Sequence, residues 1–343
     1  MANENTKEKK GFFSRILAIN GMGQVLTVTI GLIVLCIVFG LINPTFFSWR
    51  NISNLLRQIA PILIIGIGQS YVLITGNIDL SIGSVVGMST MLSATMMTKG
   101  VSPIVAVLIT LVSCLIVGWL NGWLVAGAKL PPFIATLGTM TIARGIAQIA
   151  NGNYNTNSIG EAAQGFRQFF YYGKTFGLYN LIWIAIVLWL LFNFYLSKTR
   201  SGRHIYAIGS NPAAAKLSGV SILGTTTKVY VVSAFCACIV GLSQCASAGM
   251  GAMDAGNAYE MYAVAASVIG GVSTLGGTGI LAGTVIGAAI WGVLQNGLQF
   301  AGAPVAIRNI AIGVIVIISV LLDIVVRGTS LKALFKKKKN QAN

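Results

Sequence analysis

The carboxylate best placed to do chemistry in this 343-residue chain is Asp79, in Ile74-Thr75-Gly76-Asn77-Ile78-Asp79-Leu80-Ser81-Ile82-Gly83-Ser84. Apolar runs flank it, and a charge facing lipid costs about 2.5–3.5 kcal/mol at a helix centre. It must therefore face protein or water. Two compatible roles follow: a polar turn beside a translocation path or at its mouth, and an N-cap, from Asp79 or Ser81, for a helix starting at Ile82. Other polar residues share this apolar setting: Gln69, Thr75, Asn77, Ser81, Asn121, Gln244, Gln295 and Asn296. With Asp79 they are the translocation-path candidates, and interhelical hydrogen bonding is the plainer use of the buried amides.

Hydrolytic and metal chemistry lack their parts. The chain has seven acidic residues and one histidine; that histidine, His204, adjoins Arg203 in a basic stretch and reads as solvated. No second intramembrane acid pairs with Asp79, and no Ser/His pairing or metal-ligand cluster is present in the sequence. Cys36, Cys114, Cys236, Cys238 and Cys245 all lie inside apolar runs. Gly173-Lys174-Thr175 echoes the end of a phosphate-binding loop, but Gln168 stands where that motif needs glycine. The chain reads as a non-enzyme with no catalytic residue, no metal and no cofactor of its own.

Positioning these residues falls to membrane helices. Hydrophobic residues make up 55% of the chain and charged ones 9%. Apolar runs of spanning length recur near 22–43, 54–75, 83–98, 103–127, 132–151, 178–197, 227–250, 259–274, 279–299 and 304–326, giving about ten spans of an all-α bundle. The first run reads as an uncleaved span. The formal charge of +16 invites a nucleic-acid partner, but the bases sit at span ends and tails, as topology signals do. With both termini cytoplasmic, most bases fall on inside segments, so the multi-pass chain obeys the positive-inside rule. Asp254 and Glu260 then lie in or beside a solvated external loop near Gly249–Asn257. Arg144, sharing a face with Gln148 at i, i+4, snorkels to the interface.

One island stands outside the lipid. Lys198 to Lys228 carries Lys198, Arg200, Arg203, Lys216 and Lys228 with no acid. Within it Asn211 reads as an N-cap, Pro212 as the first helical residue and Gly219 as the residue past the end of a short helix. Internal echoes suggest two pseudo-repeated halves: Asn121-Gly122 with Asn296-Gly297, Gly83/Gly87 with Gly279/Gly283, and Thr75-Gly76-Asn77 with Gly270-Gly271-Val272. Gly118/Gly122 and Gly279/Gly283/Gly287 read as close-packing positions.

From about Asn43 to Asp323 the chain resembles the permease subunits of bacterial ABC importers for monosaccharides of the ribose/xylose/galactose type. The residues carrying this are Asn43-Pro44-Thr45-Phe46, Asn51-Ile52-Ser53-Asn54-Leu55, the Thr75–Ser84 stretch, Pro132-Phe133-Ile134-Ala135-Thr136-Leu137-Gly138-Thr139, Thr199 to Arg203, Gly209 to Val220, and Gly270 to Gly277. Asn77 stands where glycine is more usual. The resemblance implies a permease domain at 21–327 with a cytoplasmic coupling loop at 198–228, a cytoplasmic tail at 1–20 and a basic cytoplasmic tail at 328–343. It implies a bacterial cell-membrane protein that pairs with a second permease copy, docks on a separate ABC ATPase that binds ATP and Mg, and receives sugar from an extracytoplasmic binding protein. On that pattern the coupling residues are Gly209, Asn211, Pro212, Ala213, Ala214, Ala215, Lys216, Ser218 and Gly219. The same architecture would serve a nucleoside, inositol, an autoinducer or a branched-chain amino acid. An ion-coupled secondary carrier is the rival from another class.

Overall fold

The computed structural model describes residues 22–326; the tails at 1–20 and 328–343 lie outside them. The described chain is an all-α bundle whose only sheet is one two-residue hairpin, β1 (Lys174–Thr175) with β2 (Leu178–Tyr179). Ten helices fall on the ten segments expected from hydropathy: α1 (Met22–Ile42), α2 (Trp49–Ile74), α3 (Ile82–Thr98), α4 (Pro103–Ala126), α5 (Pro132–Ile149), α7 (Asn180–Lys198), α10 (Ile222–Ala248), α11 (Tyr259–Ile269), α12 (Leu281–Phe300) and α13 (Val305–Val326). Short helices α6 (Gln164–Arg167), α8 (Arg200–Ser210) and α9 (Pro212–Leu217) lie between them. By length and composition, α2, α4, α7, α10 and α12 are each able to cross a membrane.

Helix α10 runs through the middle, packed on α4, α3 and α2. Missing side chains let these helices approach: Gly118 and Gly122 of α4 lie on Tyr230 and Thr227 of α10, and Gly68 of α2 lies on Ser233. A second layer forms where α11 and α12 pack on α2. There Gly283 and Gly287 leave no room for a Cβ against the carbonyls of Gly270 and Ala266. The close-packing role read for these glycines holds. The sequence echo is distributed unevenly, however. Gly83 and Asn121 sit on consecutive helices, α3 and α4, whereas Gly283 and Asn296 share α12.

One segment departs from its expected place. Residues 249–258 do not form an external loop: Gly251 touches Met91 and Ala94, and Gly256 touches Gly83 and Val86. The chain thus descends along eleven residues of α3, roughly 16 Å at the α-helical rise and about half the hydrocarbon core. Non-helical backbone survives at that depth only when its polar groups are paired within protein. Here the pairing is explicit. Thr156 N–H donates to Gly251 O (2.9 Å), Gly251 N–H to Thr156 Oγ1 (2.8 Å), and Met253 N–H to Asn155 Oδ1 (2.9 Å). Helix α11 is only eleven residues because this unwound stretch supplies the rest of its crossing. The Gly83/Gly87 pair gives the stretch its seat: a Cβ at either position would collide with the carbonyl of Gly256 or Ala255.

Candidate functional site

The Lys198–Lys228 island holds two helices where the sequence suggested one. Thr199 caps α8 by accepting from Gly202 N–H (3.1 Å), and Asn211 Oδ1 caps α9 by accepting from Ala214 N–H (3.0 Å). Pro212 is the first residue of α9, and Gly219 adopts φ +80° just past its end, as the sequence indicated. Ile208, Ala215 and Val220 form a small core that binds α9 to α8. The outward face of α9 exposes Ala213, Ala214 and Lys216, with Leu217 90% exposed.

The island is bolted to two helix breaks. Ile74, ending α2, accepts from Gly277 N–H (2.8 Å), so the 75–81 and 270–280 breaks meet at one corner. Gly209 lies directly on that contact, where any Cβ would overlap Ile74 O and crowd Gly277 N. From the previous turn of α8, Tyr206 OH donates to Gly279 O (2.6 Å). Burial pushes the Tyr206 phenol up to about 12, further from ionising than an ordinary tyrosine, which is already protonated at neutral pH. The family pattern groups Gly209 with α9 in the coupling segment; in the fold it packs against Ile74 O and Gly277 N.

Asp79 lies just beyond this corner, 1% exposed. Its Oδ1 accepts from Ser81 N–H (2.9 Å) and Ser81 Oγ (2.6 Å), and its Oδ2 accepts from Ser233 Oγ (2.7 Å). Asn121 donates to Ser81 Oγ (2.9 Å) and accepts from Thr139 Oγ1 (2.6 Å), while Tyr230 OH donates to Ile78 O (3.0 Å). One buried network thus ties the break to α4, α5 and α10. Neither side chain caps α3: Ser81 makes no bond to the first turn, and Asp79 accepts from the Ser81 amide, which precedes the helix. Asp79 thus fixes the turn before α3 rather than its first N–H groups.

The remaining candidates scatter. Thr75 bonds its own helix through Val72 O, and Asn77 donates to Thr75 Oγ1. Gln244 donates to the Tyr259 hydroxyl. Gln69 is fully buried and its amide has no partner among the described residues. Asn296 pairs with Asn51 (3.0 and 3.2 Å), and Asn51 also donates to Phe46 O (2.8 Å). Either Asn51→Leu or Asn296→Leu strands one buried amide at a cost of about 1–3 kcal/mol. Thermal unfolding in detergent should show each single variant destabilised and the double variant less destabilised than their sum. Two of the candidates reach cavities: Gln295 lines one with Tyr262 and Trp291, and Asn296 borders another beside Asn51 and Arg57.

Sequence reasoning missed the groups around the unwound segment. Arg144 does not snorkel: its Nη1 donates to Met253 O (3.0 Å) and Ala255 O (2.8 Å). Glu260 sits beside Gly83 in the interior, while Asp254 remains exposed. Arg144, Gln148, Asn257, Glu260 and Ser84 line a cavity of about 320 Å³ where the unwound stretch enters α11. The signal available was the Gly83-x-x-x-Gly87 face opposite a Gly-rich, ten-residue connection. The Gly173-Lys174-Thr175 stretch leads into the β1–β2 hairpin rather than a helix, so it forms no phosphate loop. All five cysteines are free, and no metal-ligand cluster occurs among the described residues.

A polytopic helical bundle with a broken, half-unwound span and a short helix projecting from one end defines a membrane permease. Residues 51–320 match the family described as branched-chain amino acid transport system / permease component, and the chain belongs to it. It is thus a multi-pass membrane transport subunit rather than an enzyme. The ribose import permease protein RbsC of Bacillus subtilis is 35% identical over 307 residues, covering 89% of this chain and 94% of the relative. The galactose/methyl galactoside import permease protein MglC of Haemophilus influenzae is 34% identical, covering 84% and 92%. The D-allose transport system permease protein AlsC of Escherichia coli is 33% identical, covering 85% and 89%. No solved structure matches the chain significantly.

Proposed function

We propose that this chain is the membrane subunit of an ABC importer that moves a monosaccharide inward. A separate ATPase drives it, an extracytoplasmic binding protein feeds it, and two permease copies enclose the path. The observation that carries the reading is the island: an exposed helix, α9, mounted on α8, whose Gly209 and Tyr206 grip both helix breaks. A push on α9 therefore reaches the ends of α2, α11 and α12 without crossing a flexible linker. The relatives named for ribose, galactose and allose import support a sugar as cargo. On this reading the end bearing α9 is cytoplasmic, both termini are cytoplasmic, and ATP with Mg binds only to the partner. Asp79, Ser81 and Asn121 keep the break at the mouth of the path rigid, and Gln295 contacts the path itself.

The test is co-purification from mild detergent with the ATPase encoded beside the permease. Leu217→Glu and Ala214→Glu lie on the exposed face of α9, so each should lose the ATPase while the permease stays folded and monodisperse. Retained ATPase and undiminished uptake in both variants would exclude α9 as the docking helix. Uptake that follows a proton or sodium gradient and ignores the ATPase would establish an ion-coupled carrier.

A further inference from the structure

At the end of the bundle opposite α9, helices α2, α11, α12 and α13 line an open cavity of about 220 Å³ of mixed polarity, walled chiefly by Gln58, Tyr262, Trp291, Gln295, Gln299 and Arg308, with Gln58 and Gln299 exposed at its mouth. At about 30 Å³ per water, that space holds roughly seven waters or one small polar molecule. It adjoins a second cavity of about 300 Å³ that shares Gln58 and Gln299. The lining is uncommitted. The half-buried Gln295 and the exposed Gln58 and Gln299 present amides that no hydrogen bond to the described residues engages, and the buried Arg308 Nε has no partner among them. By contrast Arg57, in the second cavity, is engaged on the rings of Tyr171 and Tyr179.

Tyr262 and Trp291 stand with ring centroids 4.7 Å apart and planes tilted by 33°. An aromatic wall beside several unpaired amides suits a ligand with an apolar C–H face and a rim of hydroxyls, since amides both donate and accept. Neither cavity is lined by an acidic residue, so the ammonium group of an amino acid finds no counter-charge. Toward the helix breaks the same helices close. Ser70 Oγ bonds Ser267 Oγ (3.0 Å) and Thr284 Oγ1 (2.8 Å), and the Gly283/Gly287 face abuts Gly270 and Ala266.

We infer that this cavity is the permease's own recognition site for a neutral monosaccharide, selective against amino acids, with the Ser70–Ser267–Thr284 contact as the closed gate beneath it. The inference rests on the importer reading above and adds to it a place and a ligand chemistry.

The experiment uses the full importer, with ATPase and binding protein, in proteoliposomes supplied with radiolabelled D-ribose, D-galactose, D-allose or L-leucine. Gln295→Leu/Gln299→Leu should lower the maximal uptake rate of the transported sugar about tenfold, with ATPase co-purification and thermal stability unchanged. A single Gln299→Cys substitution gives a second readout, because four native cysteines are buried and Cys36 is partly so. Modification of the introduced thiol by a charged, membrane-impermeant methanethiosulfonate should block uptake, and transported sugar should slow the modification. Full sugar uptake by the double variant, or no reaction of the Gln299→Cys variant with the reagent, overturns the site. ATP-driven L-leucine uptake by the wild-type importer overturns the sugar selectivity. Sugar uptake that proceeds without ATP or the ATPase overturns the importer reading itself, and this site with it.

Discussion

Gly209→Ala should abolish uptake, although the change adds a single methyl group. A Cβ at position 209 overlaps Ile74 O and crowds Gly277 N, both backbone atoms that cannot rotate away. Relief requires moving α8 off the corner, which breaks the approach holding the two helix breaks together. Overpacking of this kind costs about 1–3 kcal/mol when side chains can yield, and more against backbone. Gly219→Ala is the control. Gly219 has φ +80° but open space around the position, so alanine there costs about 1–2 kcal/mol of backbone strain and meets no neighbour. Melting of the detergent-solubilised permease and ATP-driven uptake should both fall sharply for Gly209→Ala and modestly for Gly219→Ala. Wild-type behaviour of Gly209→Ala would show that the corner is loose and transmits nothing.

The second large effect is expected at Arg144. Its guanidinium supplies the donors for Met253 O and Ala255 O in an unwound stretch half-way down the bundle. Arg144→Leu leaves both carbonyls without that donor, at about 1–3 kcal/mol each. A loss of that size should lower the melting temperature by roughly 5–10 °C. Uptake should fall with it, because the stretch opens α11 and borders a cavity. Arg144→Lys separates this role from snorkelling. A lysine snorkels as well as arginine, so an interfacial role predicts full rescue. Arginine's planar fork places Nη1 on Met253 O and Ala255 O and Nη2 toward Gly83 O at 3.5 Å, and lysine's single nitrogen cannot fill both positions, so the clamp predicts only partial rescue. Full stability of the lysine variant would discard the clamp.

Much of the architecture was legible because lipid imposes it. A backbone that crosses hydrocarbon must bond internally, so long apolar runs mean helices, and ten such runs gave ten helices at nearly the expected boundaries. The α9 caps were legible too, because Asn211, Pro212 and Gly219 act through local geometry. Asp79 could be read as buried and partnered, since an isolated charge is not tolerated there, but its partner Ser233 lies 154 residues away and no local pattern announces it. The amides divided for the same reason: Asn296 pairs with the distant Asn51, whereas the neighbouring Gln295 lines a cavity beside Tyr262 and Trp291, and hydropathy scores both alike.

What the sequence alone determined was the class of molecule: an all-helical membrane bundle with one capped helix outside the lipid. Composition and short-range chemistry suffice for that. Tertiary structure alone decided that 249–258 turns inward along Gly83 and Gly87, that Arg144 donates to its carbonyls, and that Gly209 packs against Ile74 and Gly277. Each depends on which distant backbone a glycine face or a guanidinium meets, and that pairing is set by packing across the whole bundle.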